Sequence, residues 1–284
     1  MIEAFIASWS LFGDTYLTGW LIAALLGLIG VVATARDQIF IGAATAQAST
    51  AGIALGIAAP RFFGETGAEW AESDGFLAAM AVAGSLVAAF LTERGERRGE
   101  SREALLGWIF LASSAASVLL VAHSPHGIEE IHRVAASTII GADRGDVRLF
   151  LGFFAAAAGV IAWKRRSILL YALDPETAGA IGIPVGFWRF AVAASFGLAV
   201  GLSIRASGLL FTFGCLVLPA LTAKNLCRTI SGMFVLAPII AVLVSAAAFV
   251  VANQRDDPPA QAAVLFLALA KAGAHVFRRI VPRS

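Results

Sequence analysis

Apolar runs of about 20 residues recur along the whole chain between short polar breaks, and they predict membrane-spanning helices. Nine such runs centre near Leu25, Ala48, Val82, Ser114, Ala157, Ala194, Leu216, Val242 and Leu267. Each is long enough to cross a hydrocarbon core of about 30 Å. A weaker apolar segment before Asp14 is too short to cross and is expected at the interface. A second short segment, Glu129 to Gly141, is expected to pack against the extracytoplasmic rim. None of the runs shows the period-two alternation of a barrel strand, so a β-barrel is excluded. The first run lacks a basic leader and a small-residue cleavage site, and no removable signal peptide is expected.

Composition agrees with the pattern. Of 284 residues, 59% are hydrophobic and 14% charged, whereas soluble domains run at about 45–50% and about 25%. The fold class is therefore an all-α, polytopic helical membrane protein of eight or nine transmembrane helices, read as a single transmembrane domain over residues 1–284. The 28 glycines suit close helix approach in lipid. Cys215 and Cys227 share one predicted helix at a separation of about 18 Å. That is too far for a disulfide, so both read as small buried apolar residues.

Charge sets an orientation. With the Asp174 loop placed inside, 15 of the 21 Lys and Arg fall on the cytoplasmic side. The bias of basic residues alone then puts the N-terminus outside and the C-terminus inside. Acidic residues divide 7 inside and 12 outside. An acidic outer face gathers cations or meets a basic rim on a partner.

One absence narrows the function. No Asp or Glu lies in the middle of any predicted span, although ion-coupled carriers and proton pumps hold their coupling ion with intramembrane carboxylates or histidines. No GxxxxGK[ST] loop is present to cradle a nucleotide. No Ser-His-Asp, GxSxG or HExxH arrangement supports catalysis. The chain is not expected to be an enzyme, and energy for transport has to come from another subunit.

Four regions carry candidate chemistry. The second span, RDQIFIGAATAQASTAGIALG, is unusually polar and small. Thr45, Ser49, Gly52 and Gly56 fall on one helical face, and Ala43, Gln47, Thr50 and Ala54 on the opposite one. Small and polar groups on both faces suit a helix between a packed neighbour and a water-accessible pathway, with Thr45, Gln47, Ser49 and Thr50 as pathway candidates. The bland alternative is that the hydroxyls bond back to their own helix carbonyls. In the loop HSPHGIEEIH, His123, His126 and His132 stand with Glu129 and Glu130. A solvated rim touching a binding protein is the first reading, and a weak site for a first-row divalent ion the second. Pro219 lies within the seventh span, where a proline removes a backbone bond and kinks the helix; it is either a structural kink or a gating hinge. Finally, DPETAGAIG, Asp174 to Gly182, is a short acidic insertion just after Lys164, Arg165 and Arg166. It has the makings of a docking element at the cytoplasmic surface.

Taken in order, four segments resemble the permease subunit of the metal-type ABC importers, the ABC-3 family of manganese, zinc and iron uptake systems. They are GLIGVVATARDQIFIGAATAQASTAGIALG, DPETAGAIGI, GLLFTFGCLVLPALTAKNL and DDPPAQAAVLFLALA. The second is similar to the family's Asp-x-Glu-x-Ala-x-x-x-Gly coupling element, and the third to its Gly-Leu-Leu…Pro-Ala-x-x-Ala span. The resemblance implies a permease domain in the inner (plasma) membrane, with residues 174–186 as a cytoplasmic coupling helix and 123–146 as an extracytoplasmic segment. Asp174, Glu176, Ala178 and Gly182 would seat in a groove of a cytoplasmic ATP-binding subunit. An extracytoplasmic solute-binding protein and a second permease copy or paralogue would complete the assembly, with no nucleic acid. The implied cargo is a divalent metal ion, and no cofactor is expected on the chain itself. The family's second span usually carries Asp, then His four residues on, then Pro-Gly. Register on Gly52 puts these at Ala43, Gln47 and Ala51. Ala43 has no ligand atom, so the chain pairs with a ligand-bearing permease, holds its ion weakly, or moves a chelate or organic cofactor.

Overall fold

The computed structural model describes residues 2–62, 73–97, 101–122 and 142–280. Among these, nine helices and no strands occur: α1 (Ile2–Ala35), α2 (Ile41–Phe62), α3 (Asp74–Arg97), α4 (Arg102–Val121), α5 (Arg144–Leu173), α6 (Pro175–Ala180), α7 (Val185–Leu226), α8 (Ile230–Arg255) and α9 (Pro259–Ile280). Eight are long and apolar enough to cross a membrane. The exception is α6, with 6 residues. The His123–His132 loop and the Glu129–Gly141 segment lie outside the described residues.

The eight long helices accommodate nine apolar runs because α7 holds two of them. At 1.5 Å per residue its 42 residues would run about 63 Å, twice a hydrocarbon core. Gly208 divides it, with φ 78° and ψ 170°. Only glycine takes that conformation cheaply, because any Cβ would clash with its own backbone. The apolar segment before Asp14 is no separate interfacial piece. It belongs to α1, and Asp14 faces Arg144 of α5 at 3.6 Å.

The chain forms two compact units, residues 1–39, 138–185 and 210–284 in the first and 40–137 and 186–209 in the second. In the first, α1 is the central helix. Ile22, Leu25 and Leu26 are fully buried. Helices in lipid associate through close van der Waals packing, which small residues permit. Gly30 meets this need directly, since a Cβ there would collide with the carbonyl of Leu216. Polar contacts mark the two ends of this unit. At one end Tyr16 donates to Asn253 Oδ1 at 3.1 Å. At the other, Arg36 lies over the Tyr171 ring at 4.9 Å and Lys224 pairs with Asp37 at 3.6 Å. Arg278 donates to Asn225 at 3.4 Å, at that same end. Both ends of α7 belong there too, Lys224 through Asp37, and Val185 because it lies 3.6 Å from where a Cβ on Gly179 of α6 would stand. A straight 63 Å rod cannot start and finish at one end of the unit, so α7 is not continuous, and its break falls at Gly208.

In the second unit α2 packs on α3 and α4. A Cβ on Gly52 would strike the carbonyl of Met80, and one on Gly84 the carbonyl of Ala48. The two backbones touch, which no larger residue allows. Ser85 donates to the carbonyl of Gly197 at 2.6 Å and stitches α3 to α7.

Candidate coupling element and pathway helix

The Asp174–Gly182 segment is specified almost entirely by its own residues. Asp174 is the N-cap of α6, and Pro175 occupies the first helical position, where its missing N–H has no partner to lose. One carboxylate oxygen of Asp174 accepts from the Thr177 N–H at 3.0 Å and the other from the Thr177 hydroxyl at 2.6 Å. The hydroxyl bond, then the backbone bond, hold the Asp174 carboxyl below the usual carboxylate range. It is therefore ionised at neutral pH, beside the positive end of the helix.

The far end of α6 closes in a Schellman turn. Ile183 N–H reaches the carbonyl of Ala178 at 3.0 Å and Gly182 N–H that of Gly179 at 3.1 Å. Gly182 has the φ of 86° that this turn requires. Ala178 is fully buried, Glu176 is exposed, and Leu173 and Ile181 stand 57% and 60% exposed on either side. The result is a small rigid knuckle with acidic groups at its start and apolar side chains at its flanks. Exposed apolar residues rimmed by charge mark a protein contact.

The second span is set by its neighbours instead. Thr45 donates to its own helix carbonyl at Ile41 at 2.6 Å, and Thr50 to Ala46 at 3.2 Å. Both hydroxyls are thus absorbed locally. Ser49 differs, being fully buried with no partner for its hydroxyl among the described residues. Gln47 is half-buried, and Ala43 is 8% exposed. Pathway candidates do not line the groove of about 430 Å³ between α2, α3 and α4, which is apolar and bordered by Ala51, Leu55, Val87, Leu91 and Trp108.

Pro219 sits within α7 with helical backbone, and the break in that helix falls at Gly208 instead. No group of three or more His, Cys, Asp or Glu suited to a metal ion occurs among the described residues. His123, His126 and His132 lie outside them.

Two polar features escape a reading of the sequence. Glu93 looks like part of a solvated charge run, TERGERR, yet its side chain is 5% exposed and lies 3.5 Å from Arg189. The pair fastens the end of α3 to the start of α7, seven residues beyond Gly182. At the opposite end of the same two helices Arg205 meets Asp74 at 4.0 Å, so α3 and this part of α7 run antiparallel. Gln38, in the turn after α1, is 1% exposed, and neither atom of its amide has a partner among the described residues. No periodicity signals either burial, and that of Glu93 depends on Arg189, far along the chain.

Several known proteins are similar to this chain in sequence or in fold. A structure of PsaBC from Streptococcus pneumoniae in complex with Fab superposes with a TM-score of 0.78 at 18% identity, covering 99% of both chains. The probable metal transport system membrane protein of Thermotoga maritima is 24% identical over 92% of this chain and 87% of its own length. The chelated iron transport system membrane protein YfeD of Yersinia pestis is 27% identical, but over only 43% of this chain and 41% of that protein. The model of the ABC 3 transport family matches residues 9–277. With nearly the whole chain matched, and with multiple spans around one short capped helix, this protein belongs to the ABC 3 transport family.

Proposed function

We propose that this chain is the transmembrane permease subunit of an importer for a divalent metal ion (manganese, zinc or iron) driven by ATP hydrolysis in separate cytoplasmic subunits. The observation that carries the reading is α6: a capped, charged, apolar-flanked knuckle joined directly to spans on both sides. The ATP-binding subunits grip α6 at Glu176 and Asp174, with Ala178 buried beneath and Gly182 closing the turn. Their closure moves α6, and alternating access follows as the spans attached to it tilt. The Glu93–Arg189 pair passes that displacement to α3, because Arg189 is the fifth residue of α7, seven residues past Gly182 along the chain.

A solute-binding protein outside supplies the cargo, and a second permease, a copy or a paralogue, completes the pathway. The chain binds no cofactor of its own, and the metal ion is cargo. It sits in the inner membrane with its N-terminus outside and its C-terminus in the cytoplasm. This orientation is supported by the clustering of Arg36, Lys224 and Arg278 at the α6 end of the first unit.

Purification of the complex from cells tests the coupling role. Glu176→Ala and Asp174→Lys are expected to lose the ATP-binding subunit while the permease stays folded. Recovery of an intact complex from both variants would overturn it.

A second reading, a chelate or organic cofactor as cargo, draws on the absence of a ligand atom at Ala43, the amide of Gln47 and the unpartnered Ser49. Uptake by vesicles holding the whole complex separates the two. Accumulation of free manganous or ferrous ion favours the first, and accumulation of the intact chelate alone favours the second.

A further inference from the structure

The end of α5 carries features that the transport reading leaves unused. Its apolar run, Leu149 to Trp163, has Arg148 before it and Lys164, Arg165 and Arg166 after it. At 1.5 Å per residue those 15 positions cover about 22 Å, less than a hydrocarbon core of about 30 Å. A short span of this kind is accommodated by local thinning of the bilayer and by basic side chains reaching outward to the headgroups. Between Arg144 and Trp163 only Phe150 is buried.

The helix changes direction where the run ends. Lys164 departs from helical geometry, with φ −106° and ψ 19°. Its ammonium lies 4.4 Å from the centre of the Trp163 ring, and Trp163 is 80% exposed. Lys164, Arg165 and Arg166 are all exposed, and no carboxylate pairs with any of them among the described residues. By contrast Arg144, Arg189, Arg205 and Lys224 each face an acidic side chain. An amphipathic aromatic at the end of a span, followed by three unneutralised cations, matches the headgroup layer in both polarity and charge.

We infer that Trp163, Lys164, Arg165 and Arg166 form a binding site for the headgroup of an anionic phospholipid. Trp163 sits at the boundary of the acyl chains, and the three cations present positive charge at the headgroup layer, Arg165 and Arg166 with guanidinium forks suited to phosphate oxygens. The inference needs only that α5 crosses a bilayer, and it stands whether or not α6 engages an ATPase. If both hold, the lipid clamps the helix about 12 Å before Asp174 and fixes the height of the knuckle above the membrane.

Native mass spectrometry of the delipidated full chain, titrated with phosphatidylglycerol, tests the site. Lys164→Gln/Arg165→Gln/Arg166→Gln is expected to weaken the tightest bound lipid roughly ten-fold or more. Lys271→Gln/Arg279→Gln is the control and is expected to leave it unchanged. Phosphatidylcholine and inorganic phosphate are expected not to compete. Should the triple variant fail to fold, brominated phosphatidylglycerol on the wild-type chain provides a second measurement. It is expected to quench a component of the tryptophan emission that Trp163→Phe removes. Equal lipid retention by wild type and triple variant would overturn the site, as would equal competition by inorganic phosphate. Normal lipid retention with loss of the ATP-binding subunit would assign the triplet to a protein partner instead.

Discussion

The knuckle α6 and the second span α2 are both candidate functional elements, and they are built in opposite ways. In α6 every stabilising group lies within ten residues: the Asp174 cap, Pro175, the Thr177 hydroxyl and the Gly182 turn. In α2 the decisive contacts come from elsewhere in the chain, with Gly52 against Met80 and Gly84 against Ala48. A locally determined element can tolerate change around it, whereas a tertiary one fails with its neighbours. Substitutions in the two should therefore differ in reach as well as in size.

The largest effect is expected in α2. Gly52→Leu places a side chain where the Met80 carbonyl already stands, so α2 and α3 have to separate. Overpacking alone costs about 1–3 kcal/mol, and here the obstacle is backbone, so a loss on the order of 4 kcal/mol or more is expected. Thermal melting in detergent, or the yield of folded protein, reads it. A Gly52→Leu protein with unchanged melting would mean that α2 is not held by this packing.

In α6 the effects should be smaller and confined. Gly182→Ala keeps the sequence of the knuckle but forces a Cβ residue to a φ of 86°. That costs about 1 kcal/mol, and the melting of the transmembrane core is expected to stay the same while binding of the ATP-binding subunit weakens. A comparable drop in core stability would show that α6 is coupled to the bundle more tightly than its contacts indicate.

Asp174 sharpens the same point through pH. Its carboxyl is held below the ordinary range by the Thr177 hydroxyl and N–H. A depressed carboxylate stabilises the fold at pH above its unfolded value, and that contribution is lost only as pH falls through the lower folded value. Across pH 5 to 8 the cap is therefore constant. Asp174→Asn keeps the acceptor for the Thr177 N–H and is expected to retain most subunit binding, whereas Asp174→Ala loses both bonds and weakens it about five-fold. A strong pH dependence of the wild-type complex between 5 and 8 would place the controlling group somewhere other than Asp174.

These differences explain what could be read along the chain. The α6 knuckle is visible as Asp-Pro-Glu-Thr…Gly because cap, first-turn proline and C-terminal glycine are all local signals. The spans are visible because each is a long apolar run. The place where α7 turns is not. Proline announces a kink and glycine does not, so Pro219 draws the eye while the helix breaks at Gly208. Glu93 is hidden for a similar reason, since burial of a carboxylate at the end of a span depends on Arg189, 96 residues away. On α2 the pattern marked four polar residues as equals. Only their surroundings separate Thr45 and Thr50, which bond to their own helix, from Ser49, whose hydroxyl has no partner among the described residues.

Ser49 yields the smallest effect and the most pointed one. A buried hydroxyl without a partner carries its desolvation cost in full, about 1–3 kcal/mol. Alanine has nearly the same shape at this position and removes that cost, so Ser49→Ala is expected to raise stability by about 1 kcal/mol. Few buried substitutions stabilise, because most of them delete a contact. A hydroxyl kept at such a cost is expected to serve transport, by meeting water or cargo in a state where the pathway opens. The variant should then melt higher yet transport more slowly, while Thr45→Ala and Thr50→Ala change neither by much. If Ser49→Ala melts lower, the hydroxyl has a structural partner and α2 offers the pathway no group at that position. If it melts higher and transports normally, the hydroxyl has no part in transport, and Gln47 is left as the polar side chain on this helix that the cargo can meet.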